Sequence, residues 1–597
     1  MAAAGVIAAA AEQRDLRWYR NGKVARKPKL EDPLQLFSLV EAVETLASGR
    51  VKCKVEDSYY DKPVDFLPQG GGCKTGETIE AKKDELLNAN PPSQDAVPDL
   101  TALDNLNEAA LLHTIGMRYC GGDKHKSGVN SHYCTFIGSI CVATNPFAPQ
   151  KAWVNTFRIE DYIASKGPVM QNKRLQPHPW AVGDQAYREL IEEGKNQAVL
   201  ICGESGAGKT ECCKFVLAYL IAKKESTVEG IDEKLMATND PLEAFGNAKT
   251  VNNDNSSRFA KCMQICFDAE GRVIGSEIQT SLLEKGRTCA FFQQERNFHV
   301  FYMLCYYRHE KCGPDPGEDQ NTDTSDAQDL LGDRAYKHLK EAKDYAFIAP
   351  GAVEVDTEGQ KYSERFRASD IDWFKRVIRS FRNSLGYKKA DTDNMMALLT
   401  GILHMGQITF TDEDAAKVEG ANQADLEVVA DCFGLSDPEA LQAELVLERI
   451  EMGGQMIAKE LNKTKAMSAR DAICKSLFQA IFLEIVDRCN DSVAGDRDRA
   501  FGKIGVLDIF GFERMQFNSL EQFCVSRAHA RCPAIFWLLA CRHTHAERFG
   551  LDRSTTRMRS CTRRSSTRSL RARRKSTAKR AWTTPRSPSR TTRWCSR

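Results

Sequence analysis

Apolar positions fall in short alternating runs up to about residue 95, and at helical spacing over much of the chain beyond residue 295. Phe37-Ser38-Leu39-Val40 and Arg50-Val51-Lys52-Cys53-Lys54-Val55 predict β-strands, and Gly70-Gly71-Gly72 separates them from the strand-like Thr78-Ile79-Glu80. Residues 16–95 therefore read as a small N-terminal β-domain closing at Asn90-Pro91-Pro92, after a disordered start over residues 1–15. Leu103, Leu106, Leu111 and Ile115 share one side of a helix predicted over 100–119, and 133–143 predicts a strand running into Asn145-Pro146-Phe147. An apolar strand over 198–202 is followed by a glycine-rich turn and a helix over 214–223. That helix is apolar on nearly every side, as expected when sheet and neighbouring helices both cover it. Residues 262–267 and 273–283 flank Asp268-Ala269-Glu270-Gly271, a hairpin that would add antiparallel strands to the sheet. Helices are predicted over 295–307, 372–387, 395–405 and 470–489. A short buried strand over 503–507 ends at Asp508-Ile509-Phe510-Gly511-Phe512-Glu513.

After about Val525 the periodicity disappears. Residues 527–597 are rich in Arg, Ser, Thr, Cys and Trp and poor in aliphatic residues, a composition that cannot bury a core. Three readings of this stretch stay open: a disordered basic tail, a binder of nucleic acid or another anionic surface, or a translated wrong reading frame. The abruptness of the change, inside what should be a helix, favours the last. The basic run would hold polyanions nonspecifically whatever its origin, so specific nucleic-acid binding is not expected. Cys532, Cys541, His543 and His545 have no common zinc spacing.

Charge sharpens that boundary. Residues 551–597 carry fourteen Arg and two Lys against Asp552 alone, a net of +15, so residues 1–550 sum to −13 within a chain of net charge +2. No apolar run reaches the ~18 residues needed to cross a bilayer, and the Ala-rich start lacks the basic segment of a secretory signal. The 21 cysteines are scattered without metal-ligand spacing, which predicts reduced intracellular thiols.

The candidate chemistry centres on Gly203-Glu204-Ser205-Gly206-Ala207-Gly208-Lys209-Thr210, set between strand and helix. Glycines let backbone N–H groups curl into a nest for anionic oxygens, and the helix N-terminus adds partial positive charge. Lys209 would reach the terminal phosphates of a nucleoside triphosphate and Thr210 would offer its hydroxyl to Mg²⁺. Asp508, at the end of an apolar strand, suits a carboxylate that holds Mg²⁺ through water, and Gly511 offers a backbone N–H to the γ-phosphate. Asn255-Ser256-Ser257-Arg258 supplies small amide and hydroxyl groups for phosphate and metal.

Together these segments resemble the P-loop, switch I and switch II of the myosin motor head: Gly203 to Thr210, then Asn253-Asp254-Asn255-Ser256-Ser257-Arg258-Phe259, then Asp508 to Glu513. The likeness continues through Asp99-Leu100-Thr101, Leu106-Asn107-Glu108, Asn145-Pro146-Phe147, Glu243-Ala244-Phe245-Gly246-Asn247-Ala248-Lys249-Thr250, Leu283-Glu284-Lys285 and Glu295-Arg296-Asn297-Phe298-His299. It ends in Asn518-Ser519-Leu520-Glu521-Gln522-Phe523-Cys524. The resemblance implies an α/β P-loop NTPase fold with a mixed, mostly parallel central sheet flanked by helices, and a partial motor domain over 96–526. It implies an actin-activated ATPase that takes Mg²⁺ and ATP, is coupled to movement on filamentous actin, and is cytoplasmic and cytoskeletal. A light chain or calmodulin would join only if a neck follows.

At the matching positions Lys209 binds the β- and γ-phosphates, and Thr210 and Ser257 ligate Mg²⁺ with Asp508 behind them. Ser256 positions water, and Arg258 pairs with Glu513 as a bridge that closes the site. Asn145, Trp153, the loop from Gly203 to Thr210, Asn253 and Asn255 line the nucleotide. By residue type alone, an Arg–Glu bridge reads as a solvated pair worth little.

Several positions depart from the family. Trp153 stands for the usual Tyr at the adenine edge, Ala148 and Pro149 for basic residues, Asn252 for Arg and Ala260 for Gly. Gln455 stands where an actin-facing loop often has an acidic or phosphorylatable residue. The rest of the lower actin-binding region, the converter and the calmodulin-binding neck are not recognisable after Cys524, so a non-motile ATP-binding or actin-binding module is the alternative expectation. Kinesin, another P-loop motor, would read Ser-Ser-Arg-Ser-His where this chain has Ser256-Ser257-Arg258-Phe259-Ala260.

Overall fold

A computed structural model describes residues 16–20, 37–57, 76, 78–119, 132–146, 158–204, 206–251, 253–291, 295–312, 325–352, 363–411, 415–452 and 455–508. Its first five strands are β1 (Leu16–Arg20), β2 (Phe37–Thr45), β3 (Val51–Asp57), β4 (Thr78–Ala81) and β5 (Leu86–Asn88), in an antiparallel sheet of order β4-β3-β2-β1-β5. The period-2 pattern explains its core. Val51, Cys53 and Val55 turn inward to meet Val40 and Ala81, while Lys52 and Lys54 face water.

The helix expected over 100–119 divides in two. Leu100–Ala102 is a single 3-10 turn tied down by the Asp99 carboxylate, which accepts from the Thr101 amide at 2.9 Å and its hydroxyl at 2.8 Å. The α-helix is Glu108–Tyr119; Asn107 starts it by accepting from the Ala110 amide at 3.0 Å, a cap that periodicity alone does not place. Leu106, assigned to the helix's apolar side, is left 61% exposed before that cap. The single strand expected over 133–143 is a hairpin of β6 (Cys134–Ile137) and β7 (Ile140–Ala143), because the chain reverses at Gly138-Ser139.

The strands that follow are β8 (Gln197–Ile201), β9 (Asn247–Ala248), β10 (Ser256–Ser257), β11 (Ala260–Phe267), β12 (Val273–Ser281), β13 (Leu447–Met452), β14 (Gln455–Glu460) and β15 (Gly502–Asp508). The central sheet has the order β12-β11-β15-β8. It is mixed, but among the described residues only β8 and β15 run parallel; β11 is antiparallel to both its neighbours, so the expected mostly parallel sheet does not hold for these four strands. The reason is local. The Asp268–Arg272 turn folds β12 directly back on β11, closed by the Asp268 amide on the Arg272 carbonyl at 3.0 Å. Gly271 has φ +79 there, and a Cβ on it would stand 2.2 Å from the Tyr187 hydroxyl, which instead donates to the Gly271 carbonyl at 2.9 Å.

Helix Pro179–Glu193 packs on β8 and β15, and Lys209–Ala222 buries Cys212, Cys213, Phe215, Val216, Leu217, Tyr219 and Leu220 beside it. The helix expected over 470–489 is the longer Lys463–Val493, begun by Asn462, which accepts from the Lys465 amide at 3.0 Å. Asn490 on that helix completes the edge of β12: it accepts from the Ile278 amide at 2.7 Å and donates to the Ile278 carbonyl at 2.9 Å. The helix expected from 295 starts at His299 instead, because Glu295, Arg296 and Asn297 are spent on side-chain tethers described below. Ser363–Arg379 continues into a π-helical turn, Ser380–Ser384, and Lys389–Met405 completes the helical layer. No helix among the described residues is long and apolar enough to cross a membrane, and no disulfide joins the described cysteines.

Candidate nucleotide site

The parallel pair sets the geometry. β8 and β15 are in register with Ile201 opposite Asp508, so both carboxyl ends reach the same rim of the sheet, where open α/β sheets bind ligands. β8 passes at once into the glycine loop. Gly206 and Gly208 hold φ of +78 and +88, conformations a side chain would oppose, and Gly208 begins helix Lys209–Ala222. The Lys209 ammonium lies back across the loop, donating to the carbonyls of Gly203 at 3.1 Å and Glu204 at 2.8 Å. Asn145 buttresses the loop from β7's side by donating to the Gly206 carbonyl at 2.6 Å.

From this helix the Thr210 hydroxyl donates to the Asp508 carboxylate at 3.0 Å, joining residues 298 positions apart. Asp508 is buried. Lys261, also buried, is its cross-strand partner on β11, and the Lys261 ammonium donates to Asn239 at 3.3 Å. Burial pushes the Cys212 and Cys213 thiols up to about 12, so they behave as packing groups beneath the loop.

The segment of small polar residues folds against the loop's helix. Asn253 accepts from the Asn255 amide at 3.0 Å through its side chain, and its carbonyl accepts from the Thr250 amide at 2.8 Å. The Asn255 side chain accepts from Asn247 at 3.0 Å and donates to Glu243 at 3.1 Å; Glu243 in turn lies 3.7 Å from Lys214 on the phosphate-loop helix. The Asn255 amide is thus a clamp between elements. Ser256 and Ser257 form β10 against β9; Ser256 is buried and Ser257 half-buried, four residues before the Lys261 that faces Asp508.

Arg258 is wholly buried, contrary to the solvated pair its residue type predicts. Its Nε donates to Glu284 Oε2 at 2.7 Å and its Nη1 to the Ser256 hydroxyl at 3.0 Å. The same Glu284 oxygen accepts from Arg287 Nε at 2.9 Å, and Arg287 Nη1 donates to Glu295 at 2.8 Å and to the Arg296 carbonyl at 3.0 Å. Arg296 closes the series on Asp370 at 2.8 Å, and Asn297 donates to the carbonyls of Thr288 and Phe347 at 2.9 and 3.1 Å. Burial alone would raise the Glu284 carboxyl; the guanidiniums of Arg287 and Arg258 outweigh it and hold it below the usual carboxylate value.

The structure therefore brings Asn145, the loop with Lys209 and Thr210, and Asp508 together, with Asn253, Asn255, Ser256, Ser257 and Arg258 in the segment leading into the neighbouring strand. Trp153, Ser205, Gly511 and Glu513 lie outside the described residues, as do Ala148, Pro149 and Asn252. Ala260 carries no strain from replacing a glycine, since the only non-glycine residue with positive φ among those described is Leu282. Sequence reasoning assigned no role to Glu284, Arg287 or Lys261. The available signal was chemical: an arginine between apolar strands needs a buried carboxylate, and Glu284 follows the adjacent hairpin.

Comparison with known proteins follows the same segments. The family model for the Myosin head (motor domain) matches residues 97–537. Myosin-3 of Arabidopsis thaliana is 34% identical over 457 residues, covering 76% of this chain and 35% of that protein. Myosin-1 of the same plant is 32% identical over 517 residues, or 86% and 39% of the two chains. Myosin-2 heavy chain, non muscle, of Acanthamoeba castellanii is 33% identical over 469 residues, or 78% and 28%. The chain spans about a third of the length of the curated relatives it matches. With the family match running from the turn before Leu100 to beyond the strand that carries Asp508, the chain belongs to the myosin motor-head family.

Proposed function

We propose that this chain binds and hydrolyses Mg·ATP as a myosin-type motor ATPase, with turnover raised by filamentous actin. The observation that carries the reading is the Thr210–Asp508 contact at 3.0 Å, which puts a hydroxyl and a carboxylate together beside a phosphate-binding loop. Oxygen donors of this kind suit Mg²⁺, which takes one or two protein ligands and completes its shell with water and substrate phosphates.

In this reading Thr210 and Ser257 would ligate Mg²⁺ and Asp508 would hold it through water, and the ion would neutralise charge on the β- and γ-phosphates. Gly203 to Gly208 supply N–H donors, and Lys209 leaves its carbonyl contacts to meet the terminal phosphates. Ser256 orients the attacking water. Arg258 and Gly511 stabilise the transferred group, and Glu513 draws Arg258 into a bridge that excludes other water. Asn145, Trp153, Asn253 and Asn255 line the rest of the nucleotide. The cytoskeleton is the proposed location, through actin.

The test is steady-state ATPase of the purified chain with and without filamentous actin. Turnover in both conditions, faster with actin, is expected. Tight nucleotide binding without turnover in either condition would overturn the reading in favour of a binding module.

A further inference from the structure

Arg258, Glu284, Arg287 and Glu295 form a buried series in which every charge has an opposite neighbour, and Arg258 carries it on to the Ser256 hydroxyl. The series is asymmetric. Glu284 is held by backbone as well as side chain: its amide donates to the Arg258 carbonyl at 2.9 Å, and the Arg287 amide donates to the Glu284 carbonyl at 3.0 Å. Arg287 is fixed further by Glu295 and by the Arg296 carbonyl, so the carboxylate keeps a cation whatever Arg258 does. A buried carboxylate stripped of its only partner is strongly destabilising; one with two partners can release one of them.

We propose that Glu284 is a positioning residue for ATP hydrolysis: anchored by Arg287, it fixes the Nε edge of Arg258 and thereby the direction of the rest of that guanidinium and of the Ser256 hydroxyl bonded to it. This rests on the ATPase reading above. A guanidinium is a rigid planar fork, so fixing Nε sets the plane in which both Nη groups lie. One Nη reaches Ser256, which makes the serine oxygen an acceptor from the arginine and leaves the hydroxyl hydrogen to a different partner. Glu284 therefore sets the donor direction of a residue assigned to the attacking water, without itself touching nucleotide.

The experiment compares the full chain with its Glu284→Gln, Arg258→Lys and doubly substituted variants, measuring the affinity for a fluorescent ATP analogue, the single-turnover hydrolysis rate and the melting temperature. Gln keeps the size and one acceptor oxygen but loses the charge that orders both guanidiniums. Hydrolysis in Glu284→Gln is expected to fall roughly 10- to 100-fold with analogue affinity within about threefold of the parent. The double variant is expected within about threefold of Arg258→Lys alone, because both act through one guanidinium. Parental hydrolysis in Glu284→Gln, or losses that multiply in the double variant, would overturn the assignment and leave Glu284 a structural ion pair. Should Glu284→Gln lose its cooperative melt, Glu284→Asp is read instead. Its shorter side chain keeps the charge but cannot span both arginines, and full-rate hydrolysis there overturns the assignment equally. A parent chain that binds the analogue without turnover would refute the ATPase reading itself. A parent that turns over beside a variant that does so equally fast refutes only the role of Glu284.

Discussion

The N-terminal sheet and the central sheet are built from the same kinds of strand but bury different things. Between residues 16 and 88 the described buried residues are Val40, Val51, Cys53, Val55 and Ala81, all apolar. Around the central sheet Arg258, Lys261, Glu284, Arg287, Glu295 and Asp508 are buried along with the aliphatic core. Desolvating a charge costs several kcal/mol unless partners compensate, so a fold that needed only stability would have no reason to collect six charged groups at one rim. The difference also follows connectivity. β1 to β5 pair within about seventy residues of chain, whereas β8 meets β15 across three hundred, and the long closure is what brings Asp508 to the phosphate loop.

The contrast predicts where substitution harms turnover and where it harms only stability. Arg258→Ala should lower steady-state ATPase by roughly 10²-fold or more, the loss expected for a preorganised electrostatic contact. A turnover rate equal to the parent's would show that the buried charges at this rim serve packing alone.

Truncating a core residue in each sheet separates them further. Ile265 on β11 and Val55 on β3 are both fully buried. Ile265→Ala should cost about 2–5 kcal/mol of unfolding free energy and weaken nucleotide binding with it, because β11 lies between β12 and the strand that carries Asp508. Val55→Ala should cost about 1–3 kcal/mol and leave nucleotide affinity unchanged. Denaturant unfolding and analogue titration of the two variants give both numbers; equal effects on affinity would erase the distinction between the sheets.

The smallest effect concerns acid. His178, at the start of helix Pro179–Glu193, is buried against Trp180, Tyr162 and Phe215, and burial brings its pKa down from 6.5 to about 3. A depressed pKa favours the neutral folded form above 6.5, so this contribution is complete at neutral pH and is lost as pH falls towards 3, at up to about 1.4 kcal/mol per pH unit. Melting temperature should therefore fall between pH 6.5 and 5, and less steeply in His178→Phe. An unchanged slope in that variant would assign the acid sensitivity elsewhere.

How much was legible in the sequence depended on distance along the chain. Strand, glycine turn and helix over 198–223 were readable because the apolar run, the glycines and the helix are contiguous, although the helix begins at Lys209, five residues before the apolar run that marked it. Asp508 was readable as the polar residue ending a short apolar strand. Its bond to Thr210 was not, since no spacing rule links residues 298 apart. The burial of Arg258 was not readable from residue type, which alone suggests a solvated pair, because burial is invisible without the elements that cover it, and Glu284 went unassigned for the same reason. The late start of helix His299–Cys312 shows a related limit: Glu295 and Asn297 fit the helical period but are held by Arg287, Thr288 and Phe347. The β6–β7 hairpin was read as one strand because a reversal at Gly138-Ser139 leaves the apolar alternation nearly unbroken.

Under the proposed function Thr210 and Asp508 would together hold the metal of a bound nucleotide. Calorimetric titration with a non-hydrolysable ATP analogue, with and without Mg²⁺, tests it in the parent, Thr210→Ala and Asp508→Asn chains. Mg²⁺ is expected to tighten binding to the parent about 10-fold or more, and either substitution to remove most of that gain while metal-free binding survives. Full Mg²⁺ dependence retained in both variants would contradict it.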